Sequence, residues 1–136
     1  MAQHKMITQA GSFTLAELRI IYENPIDLQL EKGTAEGIQR ARKTVTDLTE
    51  SGETAYGINT GFGLMANTKI AAKDVEKLQE NLVLSHAMGT GVPLSDGVVR
   101  LVLAMKATSL AQGFSGIRPE VIDALLTLLQ HELYPV

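Results

Sequence analysis

The stretch that most constrains this chain runs from Asp96 to Ala111. It carries Val98, Val99, Leu101, Val102, Leu103, Ala104, Met105, Ala107, Leu110 and Ala111, with Arg100 and Lys106 as its only charged interior positions. Read as a helix, with Ser95 as its N-cap, it has apolar side chains on nearly every side. Such a helix belongs in the middle of a bundle or an oligomer, and 136 residues offer few elements to surround it. Covering surfaces from a partner or from further chain are therefore expected.

The remaining segments are also read as helices. Thr14-Leu15-Ala16-Glu17 has the spacing of a capping box, and Leu15, Leu18 and Ile21 follow at helical intervals. That helix must end by Asn24, because the Pro25 ring disfavours helical geometry in the residue before it. Over residues 34–50, Ala35, Ile38, Ala41, Val45 and Leu48 recur at steps of three and four among charged residues, and Ser51-Gly52 forms a stop. A further helix spans residues 73–87, with Val75, Leu78 and Leu82 on one face and Met88-Gly89-Thr90-Gly91-Val92-Pro93 ending it. The last opens at Arg118-Pro119-Glu120, where proline suits the first turn, and carries Val121, Ile122, Leu125, Leu128 and Leu129. Residues 1–13 read as an irregular lead. At most one or two short strands are expected, around residues 26–30 and 54–60. The fold class is mainly α, in a single segment over residues 1–136.

Several function classes are excluded at this level. The formal net charge is −3 and the twelve basic residues are scattered, so no stripe exists to neutralise a phosphate backbone. With no cysteine there are no disulfides, thiolate nucleophiles or sulfur-ligated zinc, and the chain is compatible with a reducing cytosol. The first twelve residues, MAQHKMITQAGS, lack a signal peptide's apolar core. No segment approaches the roughly 20 apolar residues needed to span a bilayer. A cytoplasmic protein with neither nucleic acid nor membrane as partner is expected.

Chemistry concentrates in two places. Thr54-Ala55-Tyr56-Gly57-Ile58-Asn59-Thr60-Gly61-Phe62-Gly63 holds three glycines, an asparagine and two aromatics in ten residues. Gly57, Gly61 and Gly63 permit close backbone approach to a ligand, yet glycine and Asn59 also suit a plain connection between helices. Gly61-Phe62-Gly63-Leu64-Met65-Ala66 satisfies a G-x-G-x-x-A pattern, but an amphipathic helix and a polar turn precede it where a dinucleotide site needs a buried strand. Tyr56 is the phenol best placed for acid or base work, which requires nearby positive charge or hydrogen bonding. Tyr22 and Tyr134 default to packing. The second place is Ser85-His86, at the end of the helix over residues 73–87. No second histidine or carboxylate stands at metal-ligand spacing from His86, so no metal is expected, and Ser85 is read as pointing elsewhere and unable to serve as its nucleophile. His4 and His131 read as surface or packing residues.

Three separated blocks then supply a reaction. Tyr56-Gly57-Ile58-Asn59-Thr60-Gly61-Phe62-Gly63 is the first, and Leu78-Gln79-Glu80-Asn81-Leu82-Val83-Leu84-Ser85-His86-Ala87-Met88-Gly89-Thr90-Gly91 the second. The third is Gly113-Phe114-Ser115-Gly116-Ile117-Arg118. In this order they resemble the aromatic amino acid ammonia-lyases and mutases, and within them the histidine-specific lyases, over residues 14–136. The resemblance implies the helical N-terminal domain of the ammonia-lyase (fumarase/aspartase-like) fold, as one segment of a longer lyase chain. It also implies elimination of ammonia from L-histidine to give urocanate, in a homotetramer whose sites combine several subunits. Tyr56 matches the family's catalytic tyrosine, the base for the β-proton, on a loop containing Gly57, Asn59, Gly61 and Gly63. His86 matches a residue contacting the aromatic end of the substrate, and the Ser85-His86 pair looks like the histidine-specific form. The family's electrophile, methylidene-imidazolone, arises from an Ala-Ser-Gly tripeptide. No such tripeptide occurs in these 136 residues. The isolated chain is therefore expected to be inactive. The alternatives are a non-catalytic helical binding or assembly module retaining the fold, or a lyase or mutase acting on another aromatic amino acid.

Overall fold

The computed structural model describes residues 3–63, 68 and 70–135, with Ala72 described by its backbone alone. Two compact units are formed, one from the chain up to Arg42 and again from Val92 onward, the other Lys43–Gly91.

The first unit begins with β1, His4–Thr8, which pairs in parallel with β2, Ile26–Leu30, in the register His4 to Ile26 through Thr8 to Leu30. Parallel neighbours need a crossover, and α1, Leu15–Glu23, supplies it. The strand at residues 4–8 corrects the expected irregular lead. Its partner lies more than twenty residues away, and only Thr8 within it is buried, so no local alternation announces it. The helix α1 forms as its cap dictates. Thr14 Oγ1 accepts from Glu17 N at 3.2 Å, and Glu17 Oε2 accepts from Thr14 N at 2.7 Å. Asn24 follows as an extended C-cap ahead of Pro25.

The helix α2, Thr34–Ser51, follows β2, and α4, Asp96–Leu110, and α5, Pro119–Gln130, complete the first unit. Ile21, Ile26, Leu28, Leu103, Ala104 and Leu129 form the main core. Ile38, Ala111 and Ile122 form a smaller one. On α4 one face, with Leu103, Ala104 and Ala107, is buried against α1 and α5, while Val102 and Met105 are more than half exposed. The all-round apolar character read from the sequence is therefore half used. Ser95 starts this helix without its hydroxyl. Its carbonyl accepts from Val98 N and Val99 N at 2.9 and 3.1 Å, and no side-chain cap bond forms.

The second unit holds the later part of α2, the glycine-rich loop, a 3-10 turn at Ala72–Asp74 and α3, Val75–His86. No residue of α3 is buried. Residues 54–60, where a strand was expected, form a turn that ends in a single bridge residue at Thr60. No helix among the described residues is long and apolar enough to cross a membrane.

Candidate functional site

The loop after α2 is built around one buried asparagine. Asn59 is 3% exposed. Its Oδ1 accepts from Ala55 N at 2.8 Å, and its Nδ2 donates to Glu53 O at 2.7 Å. Its own backbone N–H donates to Ala55 O at 3.2 Å, a carbonyl that also accepts from Ile58 N at 3.2 Å. A buried amide with both ends bonded avoids the penalty of an orphaned polar group and holds the segment between its partners in one shape. The base of the loop is closed by Gly61 N donating to Thr68 O at 3.0 Å and Ile70 N donating to Asn59 O at 2.9 Å. Gly57 takes φ +78°, a left-handed conformation that any side chain would strain, directly after Tyr56.

This scaffold presents Tyr56 outward. The residue is 67% exposed and its ring meets Phe62 edge-on, with centroids 5.9 Å apart and planes at 67°. That geometry is a favourable aromatic pairing and leaves the hydroxyl end in solvent. Gly61 is buried at the foot of the loop and Gly63 is exposed with φ +58°. Leu64, Met65 and Ala66, the second half of the G-x-G-x-x-A stretch, lie outside the described residues.

His86 is the last residue of α3 and is exposed. Its Nδ1 lies 2.8 Å from Leu82 O and 3.1 Å from Ser85 Oγ. A carbonyl can only accept, so the hydrogen sits on Nδ1, and in the neutral ring Nε2 presents its lone pair. The Ser85 hydroxyl donates to the same carbonyl at 2.9 Å. The expectation that Ser85 points away from His86 is therefore corrected, since the two touch. Ser85 is still no activated nucleophile, because both it and Nδ1 spend their hydrogens on Leu82 O.

The structure gathers Tyr56, Gly57, Asn59 and Phe62 into one loop and sets His86 on a separate element of the same unit. Among the described residues no hydrogen bond joins Tyr56 to His86. Three cavities of about 370, 330 and 270 Å³ lie in the first unit, bordered by residues such as Glu31, Gly33 and Thr34 or Phe13 and Met105, and neither Tyr56 nor His86 lines them. Among the described residues no group of three or more His, Cys, Asp or Glu could hold a metal ion. Sequence reasoning singled out Asn59 for its place in the loop but missed the bonds it makes to Glu53 and Ala55, and missed Phe62 as the ring supporting Tyr56. The only available signal was the offset of four from Ala55 to Asn59 and of six from Tyr56 to Phe62.

The architecture is the ammonia-lyase and mutase fold. Ergothionase from Treponema denticola, an ergothioneine-degrading enzyme, superposes with a TM-score of 0.90 over 96% of this chain and 26% of its own, at 21% identity, a likeness of fold alone. Histidine ammonia-lyase from Trypanosoma cruzi superposes with a TM-score of 0.78 at 29% identity, over 93% of this chain and 24% of its own. The family model for aromatic amino acid lyases matches residues 13–136, and the chain belongs to that family. It is 51% identical over 125 residues to the histidine ammonia-lyase of Pseudomonas fluorescens (strain SBW25), covering 92% of this chain and 24% of that protein. The chain thus spans about a quarter of the length of the curated relatives it matches.

Proposed function

We propose that these residues are the N-terminal part of an ammonia-lyase that eliminates ammonia from L-histidine to give urocanate, contributing Tyr56 as the base for the β-proton and His86 as a contact for the substrate ring. The observation that carries the reading is the 51% identity to a histidine ammonia-lyase. The local geometry supports it in two ways. Tyr56 stands exposed on a pinned loop, free to meet a substrate. His86, with its hydrogen on Nδ1, offers Nε2 as an acceptor, and an imidazole side chain has an N–H to give it, whereas phenylalanine has none.

The residues present do not fit methylidene-imidazolone. Cyclisation needs alanine, serine and glycine in that order. Ala10-Gly11-Ser12 has the wrong order and lies just after β1, where Ser12 N donates to Gln9 O and Ser12 O accepts from Thr8 Oγ1, while Glu50-Ser51-Gly52 and Phe114-Ser115-Gly116 lack the alanine. What these residues supply is a base and a ring contact. The electrophile, and a tetrameric assembly in the cytoplasm, would come from polypeptide beyond them.

The test has two arms. The 136-residue chain incubated with L-histidine is expected to produce no urocanate absorbance. Grafted in place of the matching segment of the Pseudomonas fluorescens lyase, it is expected to restore turnover, and Tyr56→Phe in that graft lowers kcat by about 10²–10⁴-fold, the usual worth of a positioned base. A graft that folds and assembles without turnover, or one indifferent to Tyr56→Phe, defeats the proposal.

A further inference from the structure

The bonds around Asn59 converge on the residue that precedes Tyr56. Ala55 has its N–H held by Asn59 Oδ1 at 2.8 Å and its carbonyl held by Asn59 N at 3.2 Å. The same side chain reaches back to Glu53 O at 2.7 Å. The residue leading into Tyr56 is therefore fixed at both its amide and its carbonyl by one asparagine, which is itself buried beside buried Thr60. Past Tyr56, Gly57 at φ +78° turns the chain back, and Phe62 braces the ring edge-on. By contrast, the phenol end of Tyr56 is exposed. The loop thus holds the backbone on the N-terminal side of Tyr56 and turns it directly after, at Gly57.

We infer that Asn59 is a positioning residue for Tyr56: its carboxamide ties the Thr54–Ala55 peptide, through Ala55 N, to Glu53 O, while its backbone N–H holds the Ala55–Tyr56 carbonyl, so that the segment entering Tyr56 sets the phenol oxygen at the correct angle to the reacting proton. The inference rests on the proposed function and adds to it a residue that acts through Tyr56. Its effect is on kcat rather than on binding. A misplacement of about 1 Å in a reacting group costs about 10²-fold, and a loop released at Ala55 permits such a shift.

The experiment uses the same grafted lyase, with kcat, KM and thermal stability measured on each variant. Asn59→Ala is expected to lower kcat by about 10- to 100-fold and leave KM within about threefold. Asn59→Gln carries an uncharged acceptor and donor on a stem one methylene longer, so it keeps the polar partners of Ala55 N and Glu53 O and recovers part of kcat. It also supplies a folded variant should Asn59→Ala fail to assemble. In a Tyr56→Phe background, Asn59→Ala is expected to cost nothing further, because a residue acting through the phenol has nothing left to position. A merely structural asparagine would lower both backgrounds equally. Equal kcat for the unaltered graft and Asn59→Ala, or additive losses in the double variant, overturns the positioning role while the lyase reading stands. An unaltered graft without turnover overturns the lyase reading itself.

Discussion

Arg100 is the one charged side chain buried in the described core, 8% exposed on α4, and its bonding partners in the structure are carbonyl and phenol oxygens. Nε donates to Ile21 O at 2.9 Å and Nη2 to Tyr22 O at 2.5 Å, both in the last turn of α1. Those carbonyls lack intrahelical partners and carry the negative end of the helix dipole, so a guanidinium there caps α1 from a neighbouring helix. Nη1 reaches Tyr134 Oη at 3.3 Å, with the guanidinium carbon 5.6 Å from that ring's centroid. Hydrogen bonds from a charged donor contribute about 1.5–3 kcal/mol each, and the long bond to Tyr134 adds little, so the two carbonyl bonds set a loss of about 3–6 kcal/mol for Arg100→Met. Methionine keeps much of the apolar stem, which leaves the polar contribution as the difference. Against a total of about 5–15 kcal/mol for an ordinary domain, the loss is large. Urea unfolding followed by far-ultraviolet circular dichroism, with the m-value unchanged, measures it. Arg100→Lys is expected to recover less than half, because a point charge cannot fork to both carbonyls. A loss below about 1 kcal/mol for methionine, or full recovery by lysine, refutes the capping argument.

Two further outcomes follow from the same unit. A Cβ at Gly97 would sit 2.5 Å from Tyr22 O and 2.8 Å from its ring, so Gly97→Ala forces α4 away from the end of α1 and is expected to cost about 1–3 kcal/mol in the same urea assay. Glu17 has its carboxyl held below the ordinary value of 4.5, chiefly by the Thr14 backbone N–H and then by the Thr14 hydroxyl. A depressed folded value means the stabilisation is complete above 4.5 and fades as pH falls through the lowered value. Thermal melts of Glu17→Gln should therefore converge on those of the unaltered chain below pH 4.5 and separate above it, and parallel profiles would contradict the cap.

Where signals are local, the chain announced its own structure. Thr14 and Glu17 three apart, Pro25 after Asn24, and Pro119 at the head of α5 each act within one helical turn, and each element begins or ends where those residues require. Ser95 is the N-cap the sequence marked, although its backbone carbonyl rather than its hydroxyl meets the helix start, whereas at residues 54–60, where a short strand was expected, the Asn59 bonds close a turn. Tyr56 and His86 were legible as chemistry-bearing residues. The hydrogen on Nδ1 of His86, and its contact with Ser85, depend on torsions that residue type does not specify.

Sequence by itself determined the helices, their caps, the apolar stripe of α4 and the family blocks, because those properties repeat at intervals of three and four residues or sit in contiguous motifs. Only the tertiary structure decided that residues 4–8 pair with residues 26–30, that Arg100 serves the carbonyls of Ile21 and Tyr22, and that one buried amide holds the residue leading into Tyr56. Each of these is a hydrogen bond whose partner is chosen by how the chain closes on itself. Backbone carbonyls and amides are chemically alike along the whole polymer, so the identity of the bonded group is settled by proximity in the folded state.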